Sequence, residues 1–337
     1  MKILVTGGCG FIGYNICNYL LDRNYEVIAF DNLSRKNVEH NLRFLINRKN
    51  FTWIKGDVTN RKDFYLLNNH FIDAIIHLAA NPGVPFSLSN PRDDFNINTV
   101  GTLNILDYSR NNGKVPIIFA STNKVYGNLI HKLPVNESGT RYNTDWSIAE
   151  DFSIDGNSHS PYGCSKLAAD IYMQEYSSSY DIPTVINRMS CIYGHHQYGK
   201  EEQGWITWFI IAKIKNMPIT IFGNGKQVRD CLFGEDLASL YELQIREIDK
   251  FKGKVFNIGG SKENTISLLE LIKLLDEKYS QYPELKYKFE DWRQADQKVY
   301  ISNIDKISEY WKPTTSIEEG VDKTFKWVES YHEYFEV

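Results

Sequence analysis

At 337 residues, 42% hydrophobic and 24% charged, the chain has the composition of a globular protein with a sizeable core and two lobes. A formal net charge of −4 gives no electrostatic footprint for nucleic acid or an anionic membrane, and no apolar stretch reaches membrane-spanning length. Any phosphate-bearing ligand must be met by locally placed groups. The five cysteines (Cys9, Cys17, Cys164, Cys191, Cys231) form neither a CxxC pair nor a Cys/His cluster, which argues against structural zinc or a disulfide framework and fits a reducing compartment. Met1 runs directly into the first strand pattern with no signal-peptide segment, so the expected location is cytoplasmic.

Lys2–Thr6 is an apolar run without alternation, the pattern of a buried parallel strand. Gly7-Gly8-Cys9-Gly10-Phe11-Ile12-Gly13 follows at once, and a helical pattern then runs through Ile16, Leu20 and Leu21. Glycines at 7, 10 and 13 permit a tight turn, close backbone approach to a pyrophosphate and close helix–strand packing. The helix start, with its free N–H groups and dipole, suits an anion. The next strand, Glu26–Phe30, ends at Asp31, within the range at which an acid holds an adenosine ribose.

Strand patterns at 51–55, 74–78, 117–121 and 184–188 alternate with helical ones at 95–111 and from 160 to about 180. This rhythm predicts an α/β fold, a Rossmann-type doubly wound parallel sheet with helices on both faces. Ligands of such sheets bind beyond the carboxyl ends of the strands. Gly7, Asp31, Asp57, Ala79 and Thr122 all follow predicted strands and are expected to share one crevice. A dinucleotide-binding domain is expected over 1–188, with the chain returning to it around 231–258. A smaller C-terminal lobe that binds substrate is expected mainly over 189–337. In that lobe a helix at 203–215, a strand at Ile219–Phe222, a polar turn at 223–230, a strand at 255–258 and an amphipathic helix at 267–278 are predicted. The polar stretch 139–158 reads as either a lid or a disordered loop.

Tyr162 and Lys166 carry the strongest chemical signal. They stand four residues apart behind Ser160, the expected N-cap, and Pro161 at the first helical position, so phenol and ammonium share a face. A free tyrosine titrates near ~10, and lowering that by about three units takes roughly 4 kcal/mol, which a neighbouring ammonium and a cationic nicotinamide are expected to supply.

With these residues in place, the chain resembles the extended short-chain dehydrogenase/reductases that act on nucleotide sugars, over nearly its whole length. The resemblance implies that Gly7, Gly10, Phe11, Ile12 and Gly13 bind the phosphates of NAD. It places Asp31, with Asn32, Ser34 and Arg35, at the adenosine ribose, Asp57 and Val58 at adenine, and Leu78, Ala79 and Ala80 along the nicotinamide ribose. Thr122, Tyr162 and Lys166 match the catalytic trio. Asp31 favours NAD, while Arg35 leaves NADP open.

Within the family, Asp31-Asn32-Leu33-Ser34-Arg35-Lys36, the run 121–127, the run 159–166, Gln203-Gly204-Trp205 and the run 223–230 are most similar to members that invert C2 of a CDP-linked dideoxysugar for surface polysaccharide. Members that dehydrate a hexose carry Asp-Glu after the threonine; Asn123 and Lys124 stand there, and neither is a carboxylate base. Cys191 replaces an asparagine of many 4-epimerases. Asn123, Lys124, Gln203, Arg229 and Arg293 are expected at the substrate. Arg229 is read as a nucleotide-phosphate ligand in preference to an ion-pair partner of Asp230 or Asp236, and Arg293 as a diphosphate clamp. Lys124 is equally readable as a solvated loop lysine. His195 and His196 are read as pocket wall, with no metal expected, and Trp205 and Trp208 are open between core and ligand stacking.

The expected reaction is transient oxidation to a 2-ketosugar, with Tyr162 as base, and hydride return on the other face. A UDP- or GDP-sugar 4-epimerase or a ketosugar reductase would share every catalytic residue, and a non-catalytic NAD-binding regulator is a reading of a different class. The resemblance further implies a homodimer or homotetramer through helices near 95–111 and 161–180.

Overall fold

The computed structural model describes residues 1–293 and 296–335. In chain order it begins with β1 (Lys2–Thr6), α1 (Phe11–Asp22), β2 (Glu26–Phe30), α2 (Val38–Leu45), β3 (Phe51–Ile54), β4 (Ala74–His77), α3 (Val84–Ser89), α4 (Pro91–Phe95), α5 (Gly101–Asn111) and β5 (Ile117–Thr122). It continues with β6 (Asn136–Glu137), β7 (Tyr142–Asn143), α6 (Ser160–Tyr180), β8 (Thr184–Met189), β9 (Cys191–Tyr193), α7 (Trp205–Lys215), β10 (Ile219–Phe222), β11 (Val228–Phe233) and α8 (Gly234–Arg246). After these come α9 (Ile248–Phe251), β12 (Lys254–Ile258), β13 (Thr265–Ser267), α10 (Leu268–Lys278), β14 (Tyr287–Glu290), β15 (Val299–Tyr300), α11 (Asp305–Ser308) and α12 (Ile317–Ser330).

The described residues divide into two compact units: 1–125, 159–189 and 235–256 in the first; 126–158, 190–234 and 257–337 in the second. The first is built on a seven-stranded sheet of order β12-β8-β5-β4-β1-β2-β3. Pairs β1–β2, β2–β3, β1–β4, β4–β5 and β5–β8 are all parallel. The apolar runs without alternation have their expected physical origin: every residue of β4 and β5 is buried, as strands covered on both faces must be. Strand order reverses between β1 and β4, and their register sets Thr6 opposite both Phe30 and His77, so the carboxyl ends lie level at that switch point. The 95–111 helix is interrupted by a wide π turn at Asn96–Val100 before α5.

In the second unit β11 is central, pairing with β9, β13 and β15, while β10 and β14 form a separate parallel pair. Helices α7, α10 and α12 bury Ile206, Phe209, Ile210, Leu271, Leu275, Val321 and Phe325 in one apolar core. α10 starts with a capping box: Ser267 accepts from Glu270 N, and the Glu270 side chain returns to the Ser267 N–H.

Three expectations change here. The polar turn at 223–230 ends at Gln227, because Val228 onward is strand β11, with Asp230 fully buried in it. The 126–158 segment, expected within the first domain, packs in the second unit. The 139–158 stretch is neither a free lid nor disordered: Tyr142 N bonds Lys226 O at 2.9 Å, Ile148 bridges Ser302, and Glu150 accepts the Asn257 N–H at 2.7 Å.

Candidate active site

Gly7 has φ +67°, and a Cβ there would come within 2.8 Å of Ala79 N; a Cβ on Gly13 would meet Gly7 O at 2.1 Å. Only glycine allows this turn to press against the strand ends and the helix to sit on the turn. No side chain caps α1 at Gly10, so its first N–H groups are offered to a ligand anion. Around this cradle the Asp31 carboxylate accepts from Cys9 N (3.0 Å) and Leu33 N (2.8 Å). Burial raises Asp31 above its usual range, with those N–H groups and that of Gly10 opposing the rise. Asn32 Nδ2 donates to Asp57 at 2.9 Å, and Ser34 N donates to Asn32 Oδ1 at 3.0 Å. Burial pushes Asp57 up, but bonds from Thr59 and Asn32 outweigh it and leave the group below its usual range. Val58 packs into the core, while Phe11, Ile12, Leu78, Ala79 and Ala80 are half-buried and Arg35 is exposed.

A residue that sequence reasoning missed supports this edge. His77 is buried between Thr6 Oγ1 (2.7 Å) and Thr102 Oγ1 (3.0 Å), and Thr6 Oγ1 accepts the N–H groups of Leu78 and Ala79 at 3.2 Å each. Burial, with the charge of Lys166, pulls His77 down to about 3, so it is neutral. The glycine cradle, the helix start and the Asp31 carboxylate together fit a dinucleotide.

At the end of β5, Thr122 Oγ1 accepts from Lys124 N at 3.3 Å. Ser160 Oγ accepts from Gly163 N at 3.3 Å, but Ser160 is the first residue of α6 and His159 takes the N-cap position expected of the serine. Tyr162, Ser165 and Lys166 are all buried along one face of α6. Lys166 Nζ lies 4.2 Å from the centre of the Phe119 ring. The trio is thus brought together, but its electrostatics differ from expectation. Burial drives Tyr162 up to about 12, the Thr122 bond opposing and the charge of Asp94 adding to the rise. Burial draws Lys166 down to about 7, against the raising charges of Asp170 and Asp94. Burial acts on both groups at once, because water is stripped from the charged form of each. Asn123 is buried and Lys124 half-buried beside them.

In the second unit Arg229 is paired with Asp296 (2.6 Å), not with Asp230 or Asp236. Arg293 lays its guanidinium 3.7 Å from the centre of the Phe222 ring and donates to Glu201 O at 3.1 Å. It lines a cavity of about 320 Å³ with Trp146, Trp292, Asp296 and Lys298. Gln203 is half-buried and pairs its backbone with Lys200 at 2.9 Å. His196 packs at a tilt against Trp327, ring centres 4.9 Å apart, and burial and His195 pull it down to about 3. His195 meets the Phe233 ring edge-on. Trp205 and Trp208 pack against the core of this unit. Among the described residues, no group of three His, Cys, Asp or Glu side chains is placed to hold a metal, and no helix is long and apolar enough to cross a membrane.

A parallel sheet with a glycine cradle at its switch point and a buried Thr/Tyr/Lys set on the neighbouring strand and helix define a dinucleotide-dependent enzyme of the extended short-chain dehydrogenase/reductase type. The chain belongs to the NAD dependent epimerase/dehydratase family, whose model matches residues 3–259. It is 42% identical to the CDP-paratose 2-epimerase of Salmonella typhi, across 98% of this chain and 100% of that protein. It is 30% identical to the UDP-glucuronate 4-epimerase of Thermodesulfobacterium geofontis, across 96% and 95% respectively. The crystal structure of a UDP-glucuronic acid 4-epimerase from Bacillus cereus, in complex with UDP-glucuronic acid and NAD, superposes with a TM-score of 0.84 at 28% identity, covering 98% of this chain and 99% of that one.

Proposed function

We propose that this protein inverts C2 of a CDP-linked 3,6-dideoxyhexose, converting CDP-paratose to CDP-tyvelose. The reaction would serve surface-polysaccharide synthesis in the cytoplasm. The observation that carries the reading is the 42% identity to a CDP-paratose 2-epimerase over the whole of both chains. The absence of a carboxylate at Asn123 and Lys124 agrees with it, since water elimination would need an acid and a base there.

Gly7, Gly10, Phe11, Ile12 and Gly13 would hold the NAD diphosphate, Asp31 and Asn32 the adenosine ribose, and Leu78 to Ala80 the other ribose. When bound, NAD supplies hydride acceptance and return at C2 together with the positive charge of its oxidised ring. As the phenolate, Tyr162 Oη takes the proton of the C2 hydroxyl and returns it to the 2-keto oxygen after the sugar presents its other face. Thr122 Oγ1 holds the Tyr162 oxygen in line, and Lys166 sets a cation beside it. A positioned acid–base of this kind contributes of order 10²–10⁴ in rate. Arg229 and Arg293 would meet the diphosphate of the substrate, and Gln203 the nucleotide. The exposed Phe95, Ile171 and Tyr172 support the expected homo-oligomer.

Proton NMR of the purified protein with CDP-paratose and no added cofactor tests the reading. A stable mixture of the substrate and its 2-epimer is expected. No change, even after NAD is added, would overturn the substrate and the carbon proposed. A 4-epimer as product would favour the sugar 4-epimerase reading, which the Bacillus cereus neighbour represents.

A further inference from the structure

The proposed acid–base pair accounts for Tyr162 and Lys166 but not for the carboxylate beneath them. Asp94, at the end of α4, is completely buried. Its Oδ1 accepts from Asn81 Nδ2 (2.8 Å) and Asn98 Nδ2 (3.2 Å), and its Oδ2 accepts from Ser165 Oγ (2.5 Å). Three donors converge on one carboxyl group, the pattern an ionised acceptor wants.

Ser165 is the residue that Asp94 holds, and it sits three positions after Tyr162 and one before Lys166 on the same helical face. Its hydroxyl has one proton and two acceptors in range, Asp94 at 2.5 Å and Tyr162 O at 3.0 Å. The charged acceptor takes the proton, and Asn98 Nδ2 then donates to Ser165 Oγ at 2.9 Å. Thr99 Oγ1 also bonds Ser165 O at 2.9 Å. Side chain and backbone of this one helical residue are therefore clamped by the 94–99 segment.

We propose that Asp94 is a positioning residue for the reaction: through Ser165 it fixes the rotation of α6 that presents Tyr162 and Lys166, and its buried negative charge, with that of Asp170, favours the charged form of Lys166. The other groups facing Lys166 leave that task to it and Asp170. Asp170, which acts on Lys166 more strongly than Asp94 does, lies on the same helix and is held by Ser121 Oγ (2.6 Å) and by Arg188 Nε (3.0 Å). His77 is neutral and Phe119 uncharged. The inference rests on Tyr162 and Lys166 being the reacting pair.

The sign of the effect separates a charge from a mere brace. Removing a negative charge lowers the titration of any acidic or basic neighbour, so in Asp94→Asn both limbs of the kcat/KM profile against pH should move to lower pH. A shift of order one pH unit is expected. The titration midpoint of Lys166, followed by NMR of protein labelled at lysine Nζ and assigned with Lys166→Arg, should fall by the same amount. Asp94→Glu keeps the charge and should leave the limbs in place. Ser165→Ala keeps the charge and loses the clamp, so kcat should fall about ten-fold or more with the limbs unmoved. If Asp94→Asn lowers the rate while the limbs and the Lys166 midpoint stay put, the electrostatic role is overturned. If Ser165→Ala retains wild-type kcat, the clamp is overturned, and that arm stands even where Asp94→Asn does not fold. The Lys166 midpoint needs no substrate, so it still shifts if the proposed reaction is wrong.

Discussion

The two units keep their polar groups in different states of readiness. In the first, the polar side chains near the candidate reacting pair are matched within the unit: Asp94 by three donors, Asp170 by Ser121 and Arg188, and neutral His77 by two threonines. In the second, Arg229 is held by Asp296 and Arg293 rests on an aromatic ring. A preassembled set loses little on reaction, because its dipoles need not reorganise. Cations parked on protein partners must exchange them for a ligand, so their contribution is a difference between two paired states. The first arrangement suits chemistry, the second recognition.

The largest effect expected from this contrast is that of Tyr162→Phe. The ring keeps its packing and the proton carrier is lost, so kcat should fall about 10³-fold with folding unchanged. A rapid-quench assay on CDP-paratose, alongside the melting temperature, checks it; near-wild-type turnover would remove Tyr162 from the chemistry. Gly13→Ala comes next. Its Cβ would stand 2.1 Å from Gly7 O and 2.7 Å from Gly8 Cα, and backbone atoms cannot step aside as a side-chain tip would. A loss of about 3 kcal/mol and of co-purifying NAD is expected, read by denaturant unfolding and by absorbance of the released cofactor. A variant that keeps both would mean the cradle is looser than its geometry.

The rigid first unit was the more legible in sequence. Continuous apolar runs mark strands that must be buried on both faces, and glycine spacing marks a turn whose backbone needs them. Tyr162 and Lys166 are legible because a four-residue spacing is local geometry. Their burial is not local: it raises Tyr162 and lowers Lys166, which the four-residue spacing does not announce. Asp94 carries no signal at all, since its partner Ser165 is 71 residues away. In the second unit β11 was obscured because Arg229 and Asp230 interrupt the apolar pattern of a strand. The protein partner of Arg229 is hidden for a similar reason: Asp296 is 67 residues off in sequence.

Asp230 gives a pH-dependent test of the second unit. Burial raises it from 3.8 to about 6, the Ser190 hydroxyl opposing, and its Oδ2 is pressed to within 2.0 Å of where a Gly259 Cβ would stand. A raised folded pKa contributes stability that is present below the unfolded value near 3.8 and is lost as pH rises through about 6. Between pH 4 and pH 8 the wild type should lose of order 2 kcal/mol relative to Asp230→Asn. Urea unfolding at both pH values measures the difference. Parallel curves for the two proteins would show that the carboxylate is solvated or paired when folded.

The smallest and most discriminating effect concerns Arg229 and Asp296. If the pair is a resting place for a cation that later meets phosphate, the two partners must behave asymmetrically. Arg229→Ala removes a charge-assisted contact with the substrate and should raise KM about ten-fold, at a value near 1.4 kcal/mol. Asp296→Ala frees the guanidinium from a competitor, so KM should stay level or fall by about two-fold, within the range of a partly exposed ion pair. If the pair is only structural, both substitutions should lower stability by similar amounts and leave KM alone. Steady-state kinetics with urea unfolding on the two single variants and the double variant separates the cases. The coupling energy then reports how much of the Asp296 contact must be given up on binding. A KM that rises equally in both single variants would place the intact pair, rather than the freed arginine, at the substrate, and the second unit would then be as preassembled as the first.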